Sequence, residues 1–224
     1  MNDLRLVIFD VDGTLVDSQG DILAAMGAAF AGEALVAPDR ATILSVVGLS
    51  LPDAIAGLVP DQPDAVQRRM VVTYKDAYAE RRRAGGPADS PLYPGAIEVL
   101  ETLGRDDRTL LAIATGKSRR GLDALLGSLD LGRHFVTTQV ADDHPSKPHP
   151  SMILTCLAET VVAPARAVMV GDTTYDMDMA RAAGIGSIGV GWGYHPAGLL
   201  RADRSIDDFA ALPAAVDDLA GGTA

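Results

Sequence analysis

Acidic residues follow two of the apolar runs in this chain. Asp10 and Asp12 come at the end of the first run, in the stretch VIFDVDGTLVDS, and Asp172 follows ARAVMVG. One aspartate at such a position is usually structural, for example as a helix cap, but three at the ends of strand-length runs favour a shared site. Carboxylates brought together in this way can attack an electrophile, transfer protons or hold a cation.

Three carboxylates at one edge of a sheet repel one another unless a cation joins them. Oxygen ligands select a hard ion, and Mg²⁺ combines one or two carboxylates with water and substrate phosphate. We therefore expect Mg²⁺ at this site. A zinc site is not indicated, because the four histidines do not have the spacing of zinc ligands. These histidines are His134, His144, His149 and His195.

Apolar runs of strand length alternate with amphipathic segments of helical period. Runs that are apolar on both faces are typical of parallel strands covered by helices on both sides. The predicted strands are residues 4–10, 109–115, 134–140, 165–172, 187–193 and 204–206. The predicted helices between them are residues 94–104, 118–129, 151–161 and 175–184. The alternation predicts an α/β fold with a doubly wound, Rossmann-like parallel sheet.

The segment between the first strand and residue 90 interrupts this alternation. It contains apolar stripes at helical spacing but no convincing strand. Its predicted helices are residues 20–32, 38–48, 51–59 and 63–83. We expect an inserted helical-bundle cap, joined back to the core by a linker rich in Gly and Pro. The predicted domains are an α/β core of residues 1–16 and 91–224 and a helical cap of residues 17–90.

Further polar groups are expected at the same edge of the sheet. In a doubly wound sheet, ligands bind beyond the carboxyl ends of the strands, near the point where the strand order reverses. The second strand of the core ends in Thr115 and is followed by Gly116. Lys147 comes before the strand that leads to Asp172, and Asp176 follows at the start of a helix. The site thus combines carboxylates with a hydroxyl, a backbone N–H and an ammonium group.

Together these motifs resemble the haloacid dehalogenase superfamily in its phosphatase form. DVDGTLVDS is similar to the first motif of that superfamily, ATGK to the second and GDTTYDMDMARAAG to the fourth, and Lys147 in SKPHP resembles the third. The motifs follow in the right order along the chain, and the helical insertion resembles the cap of that superfamily. LYPGA and VGDTTYDMDMA are most similar to phosphoglycolate phosphatases.

The resemblance implies a magnesium-dependent phosphatase that hydrolyses a small phosphate monoester, such as 2-phosphoglycolate. It implies that Asp10 is the nucleophile and forms an aspartyl-phosphate, and that Asp12 acts as acid and base. The implied metal ligands are the carboxylates of Asp10 and Asp172 and the backbone carbonyl of Asp12. The partner expected for this chain is therefore a small phosphorylated metabolite.

The resemblance also implies which groups hold the phosphate. Thr115, Gly116 and Lys147 are expected to bind its oxygens, and Asp176 to orient metal-bound water or Lys147. The second motif reads Thr-Gly-Lys, whereas many of these phosphatases read Thr-Asn-Lys. The departure implies that a side-chain contact to the substrate is missing, so the resemblance does not fix the substrate. Sugar phosphates, pyrophosphate and nucleotides stay open. The segment 48–50 is expected either to face the substrate or to be a plain turn between helices.

Two other functions stay open on this scaffold. A sugar phosphomutase of the beta-phosphoglucomutase type uses the same two aspartates. A phospho-receiver signalling domain also combines a doubly wound sheet with clustered Asp, Thr and Lys. A receiver domain is much shorter, however, and has no reason to carry a helical insertion, so the phosphatase is favoured.

Charge and cysteine content limit the partners and the compartment. The formal net charge of −11 disfavours a nucleic-acid partner, and Arg81-Arg82-Arg83 is interpreted as a solvated helix end. The single cysteine, Cys156, lies on an apolar helix face and suits a reducing compartment. The sequence has neither a signal-peptide pattern nor an apolar run of about 20 residues. We expect a cytoplasmic protein without a membrane partner; the sequence does not indicate its oligomeric state.

Overall fold

The core of the molecule is a six-stranded parallel sheet with the order β3-β2-β1-β4-β5-β6. The computed structural model describes residues 3–85 and 90–221 of the chain. The strands are β1 Arg5–Phe9, β2 Thr109–Thr115, β3 Thr137–Val140, β4 Ala167–Gly171, β5 Gly186–Val190 and β6 Arg204–Ile206. The strand order reverses between β1 and β4, which are hydrogen-bonded neighbours. The predicted doubly wound α/β fold is confirmed.

Helices cover both faces of this sheet. The helices are α1 Gln19–Gly32, α2 Arg40–Leu44, α3 Leu51–Leu58, α4 Asp64–Gly85, α5 Ala96–Gly104, α6 Arg119–Leu129, α7 Ser151–Thr160, α8 Thr174–Ala183 and α9 Leu212–Ala220. Leu6 and Ile8 of β1 pack with residues of α7 and α8, together with the buried thiol of Cys156. Val7 and Phe9 belong to the opposite layer, with residues of α5, α6 and α9. Strand β1 is therefore buried on both faces, as its continuous apolar run predicts.

Helices α1 to α4 form a bundle with its own apolar cluster. The buried members of this cluster are Ile22, Met26, Ala29, Phe30, Ile43, Ile55, Val59 and Met70. The predicted helix at residues 38–48 is too long, because α2 ends at Leu44. The chain continues as a loop through Gly48, whose φ of 102° lies outside the helical region.

The chain enters and leaves this bundle at two adjacent points. Asp17 donates its backbone N–H to the carbonyl of Pro91 at 2.9 Å, and Tyr93 donates to the carbonyl of Leu15 at 2.9 Å. The two crossing segments are thus paired beside the end of β1. The pairing supports boundaries near residues 16 and 91; the division into core and cap stays a prediction.

Arg81 is exposed near the end of α4, as the interpretation of the arginine run expects, but it also forms an ion pair with a residue of α1. The Nε of Arg81 donates to Oδ1 of Asp21 at 2.9 Å, and the Asp21 side chain is fully buried. Ser90 donates its hydroxyl to the other Asp21 oxygen at 2.8 Å. A buried carboxylate needs such partners, and this one joins α1, α4 and the returning chain.

Two predicted strands differ from the observed strands by three residues at one end. The strand predicted at residues 134–140 starts only at Thr137, because Gly132–His134 form a turn of 3₁₀ helix. Strand β5 ends at Val190 rather than at residue 193, and the following residues form a loop. The described helices include none with the length and apolar character that a membrane crossing requires.

Candidate active site

The carboxyl ends of β1, β2 and β4 bring the predicted site residues together. Asp10 directly follows β1, Asp172 follows β4 and Thr115 is the last residue of β2, and all three are buried. The backbone N–H of Asp10 donates to the carbonyl of Val170 in β4 at 2.9 Å. The site therefore lies where the strand order reverses, which is the usual ligand position in doubly wound sheets.

Three buried carboxylates converge at this point. Asp10, Asp172 and Asp176 each offer an oxygen, and these atoms all lie within 4.8 Å of one another. Asp176 is fixed by a capping box at the start of α8, where its Oδ2 accepts from the backbone N–H of Thr173 at 3.0 Å. The capping box explains why a helix begins at this point of the sequence and how the Asp176 carboxylate is held toward the sheet.

Lys147 supplies a buried positive charge to these carboxylates. Its Nζ lies 2.6 Å from Oδ1 of Asp176 and 3.0 Å from Oδ2 of Asp10. Burial lowers the pKa of Lys147, but the charges of Asp10 and Asp176 outweigh burial and hold it above its ordinary range. The ammonium group stays charged and can meet an anionic substrate.

Asp172 lies in a tight cradle of backbone and small residues. A Cβ on Gly13 would lie 2.2 Å from Oδ2 of Asp172, and a Cβ on Gly193 would lie 2.0 Å from its Cβ. Thr14 donates its hydroxyl to Oδ1 at 2.9 Å, and Tyr194 donates its backbone N–H to Oδ2 at 2.8 Å. At positions 13 and 193, only glycine leaves room for the Asp172 side chain.

The electrostatics of these groups fit a bound hard cation. Both oxygens of Asp10 are buried, and among the described residues neither receives a hydrogen bond of good geometry. Burial raises the pKa of Asp10 to about 7, although Lys147 opposes this shift. Burial also raises the pKa of Asp172 well above its ordinary range, with Asp176 and Asp10 adding to the effect. An oxygen-only set with more negative than positive charge is the kind of site that Mg²⁺ prefers.

Asp12 has partners of its own. Its carboxylate accepts from Lys117 Nζ at 2.8 and 2.9 Å, and from the hydroxyl of Ser18. The same Nζ lies 3.0 Å from the hydroxyl of Tyr78 in α4. Burial lowers the pKa of Lys117, but Asp12 and Tyr78 outweigh burial and raise it above its ordinary range. The carboxylate of Asp12 is thus held by the ammonium group of Lys117 and does not join the cluster formed by the other three carboxylates.

Lys117 was missed as a functional residue by the sequence analysis. Its signal was present, because Lys117 belongs to the quoted ATGK motif just beyond β2. Tyr194 was missed for a different reason. The predicted strand at residues 187–193 extended too far, so the loop after β5 was not considered as a neighbour of the site. Since β5 lies beside β4, its carboxyl end meets the same edge of the sheet.

The loop between α2 and α3 covers the edge of the sheet where β2 ends. Ser50 donates its backbone N–H to the hydroxyl of Ser146, next to Lys147, at 2.8 Å. A Cβ on Gly116 would lie 2.5 Å from the carbonyl oxygen of Leu49. The segment 48–50 therefore lies directly against the second motif.

A cavity of about 560 Å³ connects the acidic edge of the sheet with the helical bundle. Asp10, Asp12, Thr115 and Gly116 line its floor, and residues of α1, α4 and the loop after α2 form the opposite wall. A volume of this order is typical of sites for small organic ligands, which occupy roughly 300–1,000 Å³. The geometry can therefore enclose a small molecule against the acidic cluster.

Fold and site together define a class of α/β enzymes in which acidic side chains at the switch point are covered by a helical insertion. Residues 7–190 match the family model described as haloacid dehalogenase-like hydrolase. The chain therefore belongs to the haloacid dehalogenase-like hydrolase family, and the expected relationship is confirmed.

Individual relatives agree with this assignment. The chain is 36% identical over 201 residues to the probable phosphatase IndB of Dickeya dadantii, covering 88% of this chain and 85% of the relative. It is 36% identical over 222 residues to a phosphoglycolate phosphatase of Agrobacterium fabrum, covering 94% and 91%. A hydrolase from Pseudomonas syringae has a similar crystal structure, with a TM-score of 0.84, 25% identity and coverage of 96% and 99%. The prediction of a hydrolase with phosphatases among its relatives is confirmed.

Proposed function

We propose that this protein is a magnesium-dependent phosphatase that hydrolyses a small phosphate monoester through an aspartyl-phosphate. The observation that carries the proposal is the buried Asp10 carboxylate, which lies 3.0 Å from Lys147 and receives no well-formed hydrogen bond within the described residues. Such a carboxylate is free to form a bond to phosphorus. The relatives named phosphoglycolate phosphatase make 2-phosphoglycolate the first substrate to test.

The first half of the reaction uses Asp10 and Asp12. An oxygen of Asp10 attacks phosphorus, and the bond from phosphorus to the leaving oxygen breaks. Asp12 gives a proton to that oxygen, so the product leaves as an alcohol. The transfer starts from the protonated form of Asp12, and Lys117 and Ser18 hold the Asp12 side chain in place for it.

The second half returns Asp10 to its starting state. Asp12, now deprotonated, accepts a proton from a water molecule that attacks the phosphorus of the aspartyl-phosphate. The bond between Asp10 and phosphorus breaks, and inorganic phosphate leaves. Thr115, the N–H of Gly116 and Lys147 are assigned to the other phosphate oxygens, where their fixed positions favour the transition state.

We assign Mg²⁺ to the carboxylates of Asp10 and Asp172 and to the backbone carbonyl of Asp12. When bound, the ion supplies positive charge that offsets the repulsion between these carboxylates and the substrate phosphate. Asp176 lies within the same carboxylate cluster and holds Lys147 at 2.6 Å. Its assigned role is to orient either Lys147 or water at the ion. A cytoplasmic location stays a prediction.

The test combines a variant, a chelator and the capture of the intermediate. Asp10→Asn should abolish phosphate release from 2-phosphoglycolate and other monoesters, and excess chelator should silence the wild-type protein. Samples quenched with acid during turnover should contain phosphate bound to the peptide that includes Asp10. The control is Asp178→Asn, which removes an exposed acid of α8 that pairs with Arg181.

Two results would overturn the proposal. Near-normal turnover by Asp10→Asn would exclude Asp10 as the nucleophile, and full activity in excess chelator would exclude the metal. Conversion of a hexose 1-phosphate to its 6-phosphate, without phosphate release, would identify a phosphomutase instead. A phosphorylated state that persists for minutes after donor removal would favour a receiver domain.

A further inference from the structure

The cavity continues beyond the catalytic residues into a groove between two helices. Lys75, Ala79, Arg82 and Arg83 line it from α4, and Arg120, Gly121, Ala124 and Ser128 line it from α6. We refer to these residues as the α4–α6 groove. Residues spaced three or four apart share one face of a helix, so each helix presents a continuous side to the groove.

The α4–α6 groove is rich in positive charge, although the chain as a whole carries −11. None of its four basic residues forms an ion pair with a carboxylate within residues 3–85 and 90–221. Neighbouring arginines behave differently, since Arg81 pairs with Asp21 and Arg119 with Asp143. The four basic residues without a carboxylate partner in the described part of the chain are Lys75, Arg82, Arg83 and Arg120.

Arg82 is the member of this group with a buried nitrogen in need of a partner. Its Nη2 donates to the hydroxyl of Ser128 across the groove at 2.9 Å. Its Nη1 is buried and has no hydrogen-bond acceptor among the described residues. An unsatisfied buried guanidinium nitrogen is costly, and an anion in the groove would satisfy it.

The wall between the catalytic residues and the groove is apolar and aromatic. Met26, Val47 and Tyr74 line the cavity, and Tyr74 stacks on Tyr78 with ring centroids 5.9 Å apart. Tyr78 contacts Lys117 beside Asp12, and Arg82 follows one helical turn later, about 6 Å along α4. Apolar surface of ring size thus separates the scissile phosphate from the basic groove.

We propose that the substrate is a phosphate monoester whose alcohol has an apolar, ring-sized body and a second anionic group, bound in the α4–α6 groove by Arg82. This inference rests on the proposed phosphatase function and specifies its substrate class. 2-Phosphoglycolate has only a two-carbon acid beyond its phosphate and leaves most of the 560 Å³ cavity unfilled. Arg82 is therefore a specificity-determining residue.

Electrostatic steering is the competing explanation for the basic groove. Cations near a cleft raise the association rate of every anionic substrate, whatever its body carries. A binding subsite instead favours only those substrates whose second anion reaches it. The two explanations predict different results for a pair of substrates that differ in one charge.

The probes are the phosphate monoesters of 3-(4-hydroxyphenyl)propanoate and of its amide, which share a ring and a chain. The wild-type protein should have a kcat/KM about tenfold higher for the carboxylate, the order expected for one charge-assisted hydrogen bond. Arg82→Gln should reduce this preference to near one, because kcat/KM for the carboxylate should fall much further than kcat/KM for the amide. Arg120→Gln should reduce the preference in the same direction and serves as the second variant if Arg82→Gln folds poorly.

Two controls isolate the role of charge in the groove. Ser128→Ala removes the hydrogen bond across the groove but keeps the Arg82 charge, so the preference should persist. Arg133→Gln removes an exposed cation that lies outside the cavity and pairs with Asp130. This variant should leave kcat/KM unchanged for both probes. Both variants also report whether overall charge or closure of the groove alters turnover.

The proposed subsite is overturned if the wild-type protein has equal kcat/KM values for the two probes, or if Arg82→Gln lowers both values equally. It is also overturned if the wild-type kcat/KM for 2-phosphoglycolate exceeds that for the carboxylate probe. Hydrolysis of 4-nitrophenyl phosphate that depends on Asp10 tests the phosphatase function separately. If that reaction proceeds while the charge preference is absent, only the subsite fails. If that reaction is also absent, the phosphatase function itself fails.

Discussion

The carbonyl oxygen of Leu49 lies against the Cα of Gly116, so closely that a Cβ on Gly116 would approach it to 2.5 Å. The carbonyl of Gly48 is almost as near, at 2.7 Å from the same point. Both oxygens belong to the backbone and cannot rotate away as a side chain can. The glycine in the Thr-Gly-Lys motif thus has a structural reason, because a side chain there would collide with the covering loop at residues 48–50.

Gly116→Ala should therefore displace the loop at residues 48–50 and lower kcat/KM about tenfold. Overpacking against fixed atoms costs about 1–3 kcal/mol, and tenfold in rate corresponds to about 1.4 kcal/mol. A steady-state phosphate-release assay on several monoesters measures the effect. Gly127→Ala is the matched control, since a Cβ there meets open space on α6. Wild-type activity in Gly116→Ala would show that the loop does not need this contact.

The pair formed by Asp12 and Lys117 gives a second prediction. Both side chains are largely buried, with exposed fractions of 12% and 8%. Lys117→Met should lower the free energy of unfolding by about 3 kcal/mol, because it leaves a buried carboxylate without its cation. The double variant Asp12→Asn with Lys117→Met should recover part of this loss, and urea unfolding measures both.

Additive effects of the two substitutions would contradict the coupling between Asp12 and Lys117. Tyr78→Phe is the conservative comparison, since it removes one hydrogen-bond partner of Lys117 and keeps the ring beneath the ammonium group. We expect a loss of about 1 kcal/mol in unfolding free energy for this variant.

The sequence carries enough information to predict the sheet and the acidic cluster. Apolar runs that end in Asp10 and Asp172 identify buried strands, and parallel strands bring their carboxyl ends to one edge. The cluster therefore follows from the order of elements along the chain. No knowledge of side-chain packing is needed for this step.

Contacts between the helical insertion and the core were not predictable in this way. Tyr78 reaches Lys117 across 39 residues, and Ser50 reaches Ser146 across 96. Neither periodicity nor spacing specifies how the bundle is placed on the sheet. The same limit applies to Gly116, whose role depends on a loop contributed by the bundle.

His195 gives a prediction for the dependence of stability on pH. Its Nδ1 accepts from the backbone N–H of Thr174 at 3.2 Å, and its Nε2 donates to the carbonyl of Ser45 at 3.1 Å. Burial lowers the pKa of His195, while the Ser45 carbonyl and the charge of Asp176 partly oppose the shift. This histidine therefore joins the core to the loop after α2 in its neutral form.

The sign follows from proton binding in the two states. Below the ordinary histidine pKa of about 6.5 the unfolded chain binds a proton that folded His195 resists, so acid favours unfolding. The contribution of neutral His195 to the free energy of unfolding is fully present above pH 6.5. Below that pH it declines by up to about 1.4 kcal/mol per pH unit. His134, whose pKa burial also lowers, acts in the same direction.

Urea unfolding at pH 7.5 and pH 5.5 tests this contribution. His195→Gln should lose less stability between the two pH values than the wild-type protein does. His149→Gln, which alters an exposed histidine, should follow the wild type. An unchanged pH dependence in His195→Gln would show that the neutral His195 bridge does not contribute.

The two arginines Arg81 and Arg83 lie near one end of α4 and should differ sharply in their contribution to stability. Arg81 is the cationic partner of Asp21, whose side chain is fully buried. Within residues 3–85 and 90–221, Arg83 donates only to the carbonyl of Ala79. Arg81→Gln should lower the free energy of unfolding by about 2 kcal/mol, less than for a fully buried pair because the Arg81 side chain is 43% exposed. Arg83→Gln should stay within about 0.5 kcal/mol of the wild type. Urea unfolding of both variants measures the difference. The double variant Asp21→Asn with Arg81→Gln should recover stability, because it removes the buried charge that Arg81 balances. Equal effects of Arg81→Gln and Arg83→Gln would mean that Asp21 does not depend on Arg81.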